Sequence, residues 1–367
     1  MRCIVLIIVV FLAHGANGQA TFAAIQKKID SEDFASAKAD LTKVLNEDPK
    51  NKLAYNLRGK ARMGLEDFYG AIADLTFAIE LDTTFADAYN NRGSAKLSLT
   101  DDASAILDFD KAIRHNQKFA DAYTNRGFAK FNLEDLEGAY FDFSKALEIG
   151  PADADKYFNR AYVKAELGEF VSAIDDYTKA LEFDKDDASL YNTRGVAYYN
   201  IEAFDKALAD YNQAIKLYGK DPIMYENRAL ARSAKEDYKG ALEDFNKAIE
   251  LNPDDPETYN LRGVVKYNMD DNDGAIQDYT KAIELDSTNP MFYDNRGLSR
   301  SEKEDYAGAI EDYTSSIELY PTDPETFYQR GLVKLAMGNK YDACLDFKTA
   351  DELGLPEAKT ALKKNCK

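Results

Sequence analysis

The sequence predicts an all-α fold, a stack of repeated helix–turn–helix units, and three observations point to it. An arginine recurs nine times at intervals of 34 residues: Arg58, Arg92, Arg126, Arg160, Arg194, Arg228, Arg262, Arg296 and Arg330. An aspartate follows each arginine at 16 residues: Asp74, Asp108, Asp142, Asp176, Asp210, Asp244, Asp278, Asp312 and Asp346. Within each half of the unit, apolar residues fall at helical spacing, which gives two amphipathic helices joined by short turns. A constant period of this size marks a quasi-linear array, in which each copy buries its apolar face on the next.

Taken in order, the chain opens with Arg2, an apolar run from Ile4 to Ala13, and the small-residue pattern Ala16-Asn17-Gly18. This reads as a cleavable secretory signal over 1–18, with Gln19 as the new N-terminus. The run is too short to span a bilayer comfortably; a short membrane anchor or a buried helix is the alternative. No second hydrophobic stretch follows, so no stable membrane insertion is expected after cleavage. Residues 19–51 read as a degenerate first unit, visible in Phe34, Ala37, Asp40, Leu41 and Pro49. Nine full units fill 52–357, 358–367 form a C-terminal cap tail, and Pro356 to Lys364, across that boundary, reads as a polar terminal helix. For the Arg92 unit the pattern places helix A at about 87–98 and helix B at about 102–115.

Each unit keeps further columns in step. An aromatic ring stands three residues before each arginine, from Tyr55 to Phe327, and glycine or alanine stands directly after it. Alanine recurs from Ala71 to Ala343, and a ring, or Leu75 in the first case, follows each aspartate. Small residues let two helices approach where they cross, and rings fill the wider gaps beside the crossing. Asp221-Pro222, Asp255-Pro256, Asn289-Pro290 and Asp323-Pro324 each put an N-cap before proline at the first helical position.

The formal charge is −19, and removing 1–18, which holds Arg2 and no acid, makes it −20. Such an excess argues against nucleic acid, whose binding needs a basic stripe, and favours neutral or cationic partners. A solvated helical surface that resists self-association explains the same charge. His115 with no cysteine near it leaves no zinc set and no His-based catalytic set. No glycine-rich phosphate loop or Gly-x-Ser-x-Gly elbow occurs. The run Asp270-Asp271-Asn272-Asp273-Gly274 fails the calcium-loop spacing and reads as a solvated turn. No catalytic residue, metal or cofactor is therefore expected.

These columns resemble the tetratricopeptide repeat: an aromatic, then Gly or Ala, a central Ala, a further aromatic, a second Ala (Ala112, Ala146, Ala180) and a closing proline such as Pro253. The resemblance covers nearly the whole chain after residue 18. It implies a right-handed superhelical solenoid with helix A on the concave, ligand-binding side and a C-terminal capping helix. It also implies a protein-binding scaffold. Family members often carry leucine where the arginines stand.

An arginine in the contact between helices A and B needs a partner, because an unpaired buried charge is costly. The ladder Arg92, Arg126, Arg160, Arg194 with Asp74, Asp108, Asp142, Asp176 is expected to be structural. Its pairs run either within a unit or from one helix B to the next helix A, as in Asp40 with Arg58 and Asp74 with Arg92. Lys96, Lys130, Lys164, Arg232, Lys266, Arg300 and Lys334, one turn on, are candidates to join it.

A second polar column, Asn91, Asn125, Asn159, Asn227 and Asn295, should face the groove, where an amide matches a peptide bond of an extended ligand. Solvation of the face, or bonding within it, accounts for the same column. Phe128, Phe131, Tyr162, Tyr199 and Tyr267 are candidate aromatic anchors on that face, or core. The basic clamp that binds acidic C-termini in chaperone-binding family members is missing. Cys344 and Cys366 suggest a disulfide that staples the cap to the last unit, as against two free thiols or a link between chains. The function expected is a secreted or periplasmic scaffold gripping a polypeptide segment. The alternative is an accessory or adhesion module acting through its convex face.

Overall fold

The computed structural model describes residues 21–366, so the leader assigned to 1–18 lies outside the described residues. Every regular element among those residues is a helix, and the chain divides into two compact units, Met1–Asp184 and Lys185–Lys367. In the first unit a helix over 21–30 (α1) is followed by α2 (Phe34–Glu47), α3 (Lys52–Gly64), α4 (Phe68–Leu81), α5 (Ala86–Leu97), α6 (Asp102–His115), α7 (Ala120–Asn132), α8 (Leu136–Ile149), α9 (Ala154–Glu166) and α10 (Phe170–Phe183). The second unit runs α11 (Ala188–Asn200), α12 (Phe204–Leu217), α13 (Pro222–Ala234), α14 (Tyr238–Leu251), α15 (Pro256–Asn268), α16 (Asn272–Leu285), α17 (Pro290–Glu302), α18 (Tyr306–Leu319), α19 (Pro324–Ala336), α20 (Lys340–Glu352) and α21 (Pro356–Asn365). From α3 on, odd-numbered helices are the A helices of the repeat and even-numbered ones the B helices, up to α20. The helices of the Arg92 unit, α5 and α6, begin and end within one residue of the spacing-based ranges.

Local chemistry sets the boundaries. Asp101 accepts a hydrogen bond from the Ser104 amide at the start of α6, and Asp67, Asp135, Asp237, Asp271 and Asp305 cap their B helices in the same way. Asp271 receives the Gly274 amide at 3.0 Å, so the acidic run there is a helix cap in a turn. A recurring left-handed residue closes the A–B turn: Glu66, Thr100 and Glu134 in the first unit, with Gly168 (φ 78°) taking the position once. Four A helices of the second unit start with a capping Asp or Asn followed by proline.

Packing follows the columns. The alanines Ala71, Ala105, Ala139, Ala173, Ala207, Ala241, Ala275, Ala309 and Ala343 are fully buried. A Cβ added at Gly93 would lie 2.6 Å from the Phe109 ring, so glycine is what lets α5 close on α6. The A–B contact also contains the ion pairs. Arg126 clasps Asp142 through Nε (2.9 Å) and Nη2 (2.6 Å), and Asp142 is completely buried. Every arginine of the series makes this pair with the aspartate 16 residues ahead, inside its own unit.

The pairing of one helix B with the next helix A is thereby corrected. Asp74 pairs with Arg58, and Asp40 binds Lys28 and Lys43. The reason is geometric: each carboxylate sits on the helix that packs directly against its arginine across the short A–B turn. A link to the previous helix B does exist, but through another atom and another column. Nη1 of Arg92 reaches Thr76 (3.1 Å), that of Arg228 reaches Asn212 (2.7 Å) and that of Arg330 reaches Thr314 (3.0 Å), each two positions past an aspartate. In every unit but that of Arg194, which has Tyr198 there, the basic residue one turn on joins the cluster, as Lys130 does with Asp142 at 2.8 Å. The aromatic three residues upstream covers the guanidinium, with Tyr123 centred 5.4 Å from Arg126 Cζ. Burial opposes the Arg126 charge, but its bonds to Asp142 and Asp110 outweigh that and raise its pKa.

Helix α21 covers the last B helix through Phe347, Ala361 and Leu362, and Cys366 is bonded to Cys344 across a Cα separation of 5.7 Å.

Candidate functional site

The A-helix face of each unit carries two adjoining polar columns, one and two residues before the arginines. The asparagines one before are engaged with the column two before. Asn91 Nδ2 donates to Asn56 Oδ1 (2.9 Å), Asn125 to Asn90 (3.0 Å), Asn227 to Asn192 (3.1 Å) and Asn295 to Asn260 (2.8 Å). These amides therefore form a ladder between successive A helices, and Asn125 also reaches Ser94 (3.2 Å).

The ladder breaks at one place in the first unit. Asn159 should donate to residue 124, which is threonine, and no hydrogen bond engages either side chain there; Thr124 Oγ1 is buried without a partner. Beside the break is an apolar cavity of about 340 Å³ between α7 and α9. Phe128 and Phe131 of α7, Phe158 and Tyr162 of α9 and Phe143 of α8 form its walls and floor, with the Asn132 and Asn159 amides at its edge. Phe128 stands edge-on to Phe143 (5.2 Å between centroids), Phe131 lies 5.6 Å from Tyr162, and Phe158 stacks on Tyr162 at 6.0 Å. Phe128 and Tyr162 remain exposed by 38% and 39%, large values for rings that also help wall a cavity.

Four of the sequence-derived candidates, Phe128, Phe131, Asn159 and Tyr162, thus meet at one site. Tyr199 and Tyr267 do not belong to it. Tyr199 packs on Phe204 in the second unit at 5.5 Å, and Tyr267 is half-buried there. Phe158 was missed by sequence reasoning, although it replaces the asparagine that Asn56, Asn90, Asn192 and Asn260 supply at the same column.

The second unit differs at the same columns, where Glu226 and Asp294 stand two before their arginines. Each meets a buried threonine: Thr258 donates to Glu226 at 2.7 Å, and Thr326 lies 3.1 Å from both oxygens of Asp294. Burial pushes both carboxyl groups up, Asp294 to about 6, where Ser316 and Thr326 partly offset it and Asp323 and Asp312 add to it. Among the described residues, no three His, Cys, Asp or Glu side chains are placed to hold a metal ion, and no helix is long and apolar enough to cross a membrane.

Comparison with known proteins agrees with this architecture. The family described as "TPR repeat" matches residues 162–201 and 230–270, and "Tetratricopeptide repeat" matches 120–153, 188–221 and 256–289. No curated protein matches the chain. Among solved structures, a tetratricopeptide repeat protein from Parabacteroides merdae is 21% identical, over 69% of this chain and 100% of its own, with a TM-score of 0.55. The C-terminal part of a TPR repeat-containing protein from Cytophaga hutchinsonii is 19% identical, over 65% of this chain and 97% of its own, with a TM-score of 0.53. At such identities the likeness shows the fold alone.

Proposed function

We propose that this tetratricopeptide repeat protein is an exported, non-catalytic scaffold that grips a polypeptide segment on the A-helix face of its first unit. The observation behind the proposal is the aromatic cavity at the break in the amide ladder. A cavity of about 340 Å³ takes one large apolar side chain. Exposed rings around a preformed hollow are the usual anchor of a protein contact. The Asn159 amide, free of the ladder, offers a donor and an acceptor to the backbone on either side of that anchor. The Thr124 hydroxyl on the other side of that rung is buried without a partner, which leaves the rung unmade. Export is supported by the leader pattern of 1–18 and by the Cys344–Cys366 bond, which suits an oxidising compartment.

The test is selection of peptides from a random displayed library on residues 19–367, followed by affinity measurement. Selected peptides should share an aromatic or large aliphatic anchor. Phe128→Ala and Tyr162→Ala should each weaken them at least about tenfold, the scale of a hot-spot side chain. Asn159→Ala should weaken them more than Asn125→Ala, whose amide is committed to Asn90 and Ser94. Peptides that bind all four variants like the parent would place recognition elsewhere.

A further inference from the structure

The repeat unit of Arg296 departs from its siblings at buried positions, and the departures converge. Asp294 stands where Asn56, Asn90, Asn192 and Asn260 stand in other units. Ser316 replaces an alanine found at Ala78, Ala112, Ala146, Ala180, Ala214, Ala248, Ala282 and Ala350, and its hydroxyl bonds Asp294. Tyr313 is the buried ring of this unit. It is 2% exposed, and its hydroxyl has no hydrogen-bond partner. Tyr313 lines a cavity of about 160 Å³ between α17 and α19, with Asp294, Leu298, Asp323, Glu325 and Thr326 around it. This hollow shares three repeat columns with the aromatic cavity of the first unit, where Leu298, Tyr313 and Gln329 stand in the places of Phe128, Phe143 and Asn159.

Charge decides what such a hollow can hold. Its walls carry three carboxylates and no cation. The neighbouring guanidinium groups are committed elsewhere: Arg296 to Asp312 and Thr280, Arg300 to Asp312 and Asp305, and Arg330 to Asp346 and Thr314. Thr326 has one hydroxyl hydrogen but lies within reach of both Asp294 (3.1 Å) and Asp323 (2.7 Å), so it can satisfy only one of them at a time. Gln329 donates to Glu325 at 2.7 Å and Ser316 serves Asp294, but none of these donors is charged, so the cluster is short of charged donors. An ammonium or guanidinium group supplies them and nothing else, whereas the carboxylates are not gathered closely enough for a metal ion. Burial, with the Asp294 charge beside it, keeps the Tyr313 hydroxyl protonated, and without a partner of its own its oxygen is left to accept from an incoming cation.

We propose that the hollow lined by Asp294, Asp323, Glu325 and Tyr313 is a subsite for one basic side chain, lysine or arginine, of a bound polypeptide. The proposal rests on the reading of the chain as a polypeptide binder, but it concerns a separate site that can be probed alone. The unit of Arg228 supplies an internal comparison. It has Glu226, Thr258, Asp255 and Glu257 at equivalent columns, but Phe245 in place of Tyr313.

The experiment titrates the whole secreted-form chain, residues 19–367, with N-acetyl-lysine methylamide, N-acetyl-arginine methylamide and N-acetyl-norleucine methylamide, read by NMR. The basic probes should saturate and the norleucine probe should not. Asp294→Asn restores the residue that four other units carry there, so it should fold, and it should weaken the basic probes at least about fivefold. Tyr313→Phe, the substitution the array already makes at Phe245, should weaken them less.

Lowering the pH through about 6 protonates Asp294 and should reduce binding. The groups facing it do not reverse that sign: Asp312 and Tyr313 on α18, Asp323 and Glu325 at the start of α19, and Tyr267 of α15 beside Tyr313 are acidic or phenolic. A carboxyl whose folded pKa is raised favours the folded state increasingly as pH falls, so loss of binding there is not loss of fold. Equal binding by norleucine, unchanged affinity in Asp294→Asn, or the same resonances shifting with calcium alone would each overturn the subsite. Any of these would leave peptide capture at the aromatic cavity of the first unit standing. Loss of that capture with the basic probes still bound would overturn the other proposal alone.

Discussion

At the scale of single residues, the arginine column is a three-way clasp. Arg126 holds Asp142 with two parallel bonds, lies over the face of Tyr123 and reaches back to Asp110 on the previous helix B. The carboxylate at the centre is buried, and that determines how the pair responds to substitution. Removing one partner strands the other, which costs about 3–5 kcal/mol for a buried pair, whereas replacing both with well-packed apolar residues is often neutral or stabilising. Asp142→Ala should therefore lower stability by about 3–5 kcal/mol, while Arg126→Leu with Asp142→Leu should come within about 1 kcal/mol of the parent. Urea unfolding of the two singles and the double closes the cycle. If the double is as unstable as Asp142→Ala, the pair stabilises the fold by more than its own neutralisation. The Arg–Asp columns were legible in sequence because charge and count recur together. Their partner assignment was not, since a repeat of 34 offers each arginine an aspartate both before and after it, and only packing across the A–B turn chooses.

At the scale of the helix pair, the period fixes positions more firmly than composition does. The A–B turn needs one left-handed residue in every unit, and chemistry at that position varies: mostly glutamate, threonine at Thr100, glycine at Gly168 and Gly338. A β-branched residue with φ 59° is the least comfortable of these. Thr100→Gly should stabilise the protein by about 0.5–1 kcal/mol, the relief of the left-handed conformation less the larger unfolded-chain entropy of glycine. Gly168→Ala should do the reverse by a similar amount. A Cβ there would meet nothing within 4 Å, so the loss would come from the backbone alone. Thermal unfolding of both variants checks the pair, and a destabilised Thr100→Gly would mean that the threonine side chain contributes more than its strain removes.

Regular columns were easy to read at this scale, and the sites were not. Thr124, Phe158, Asp294 and Ser316 matter because they break their columns, and the ladder bonds that make a break visible run between residues 35 apart on neighbouring helices. Pattern-matching that rewards agreement with the repeat passes over such positions.

At the scale of the whole chain, contacts are local in sequence. From α2 to α10 in the first unit, and from α11 to α21 in the second, each helix packs on its neighbours in sequence, and some A helices also touch the next A helix, as α15 does α17. Stability in such an array is a sum of unit and interface contributions, so an end should loosen without unlocking its distant neighbours. The disulfide tests this, because it closes 22 residues between α20 and the end of α21, a loop worth about 3 kcal/mol in chain entropy. Hydrogen exchange on the oxidised chain, and on Cys344→Ala with Cys366→Ala, provides the measurement. Protection of the Cap-helix amides, such as that of residue 366, which bonds the Leu362 carbonyl, should fall by roughly a hundredfold, the equivalent of that free energy at about 1.4 kcal/mol per decade. Amides of α15 and α16 should exchange as before. If they lose protection by the same factor, this unit opens as one cooperative body, and substitutions at α21 would then reach the acidic hollow between α17 and α19 through global unfolding instead of leaving it intact.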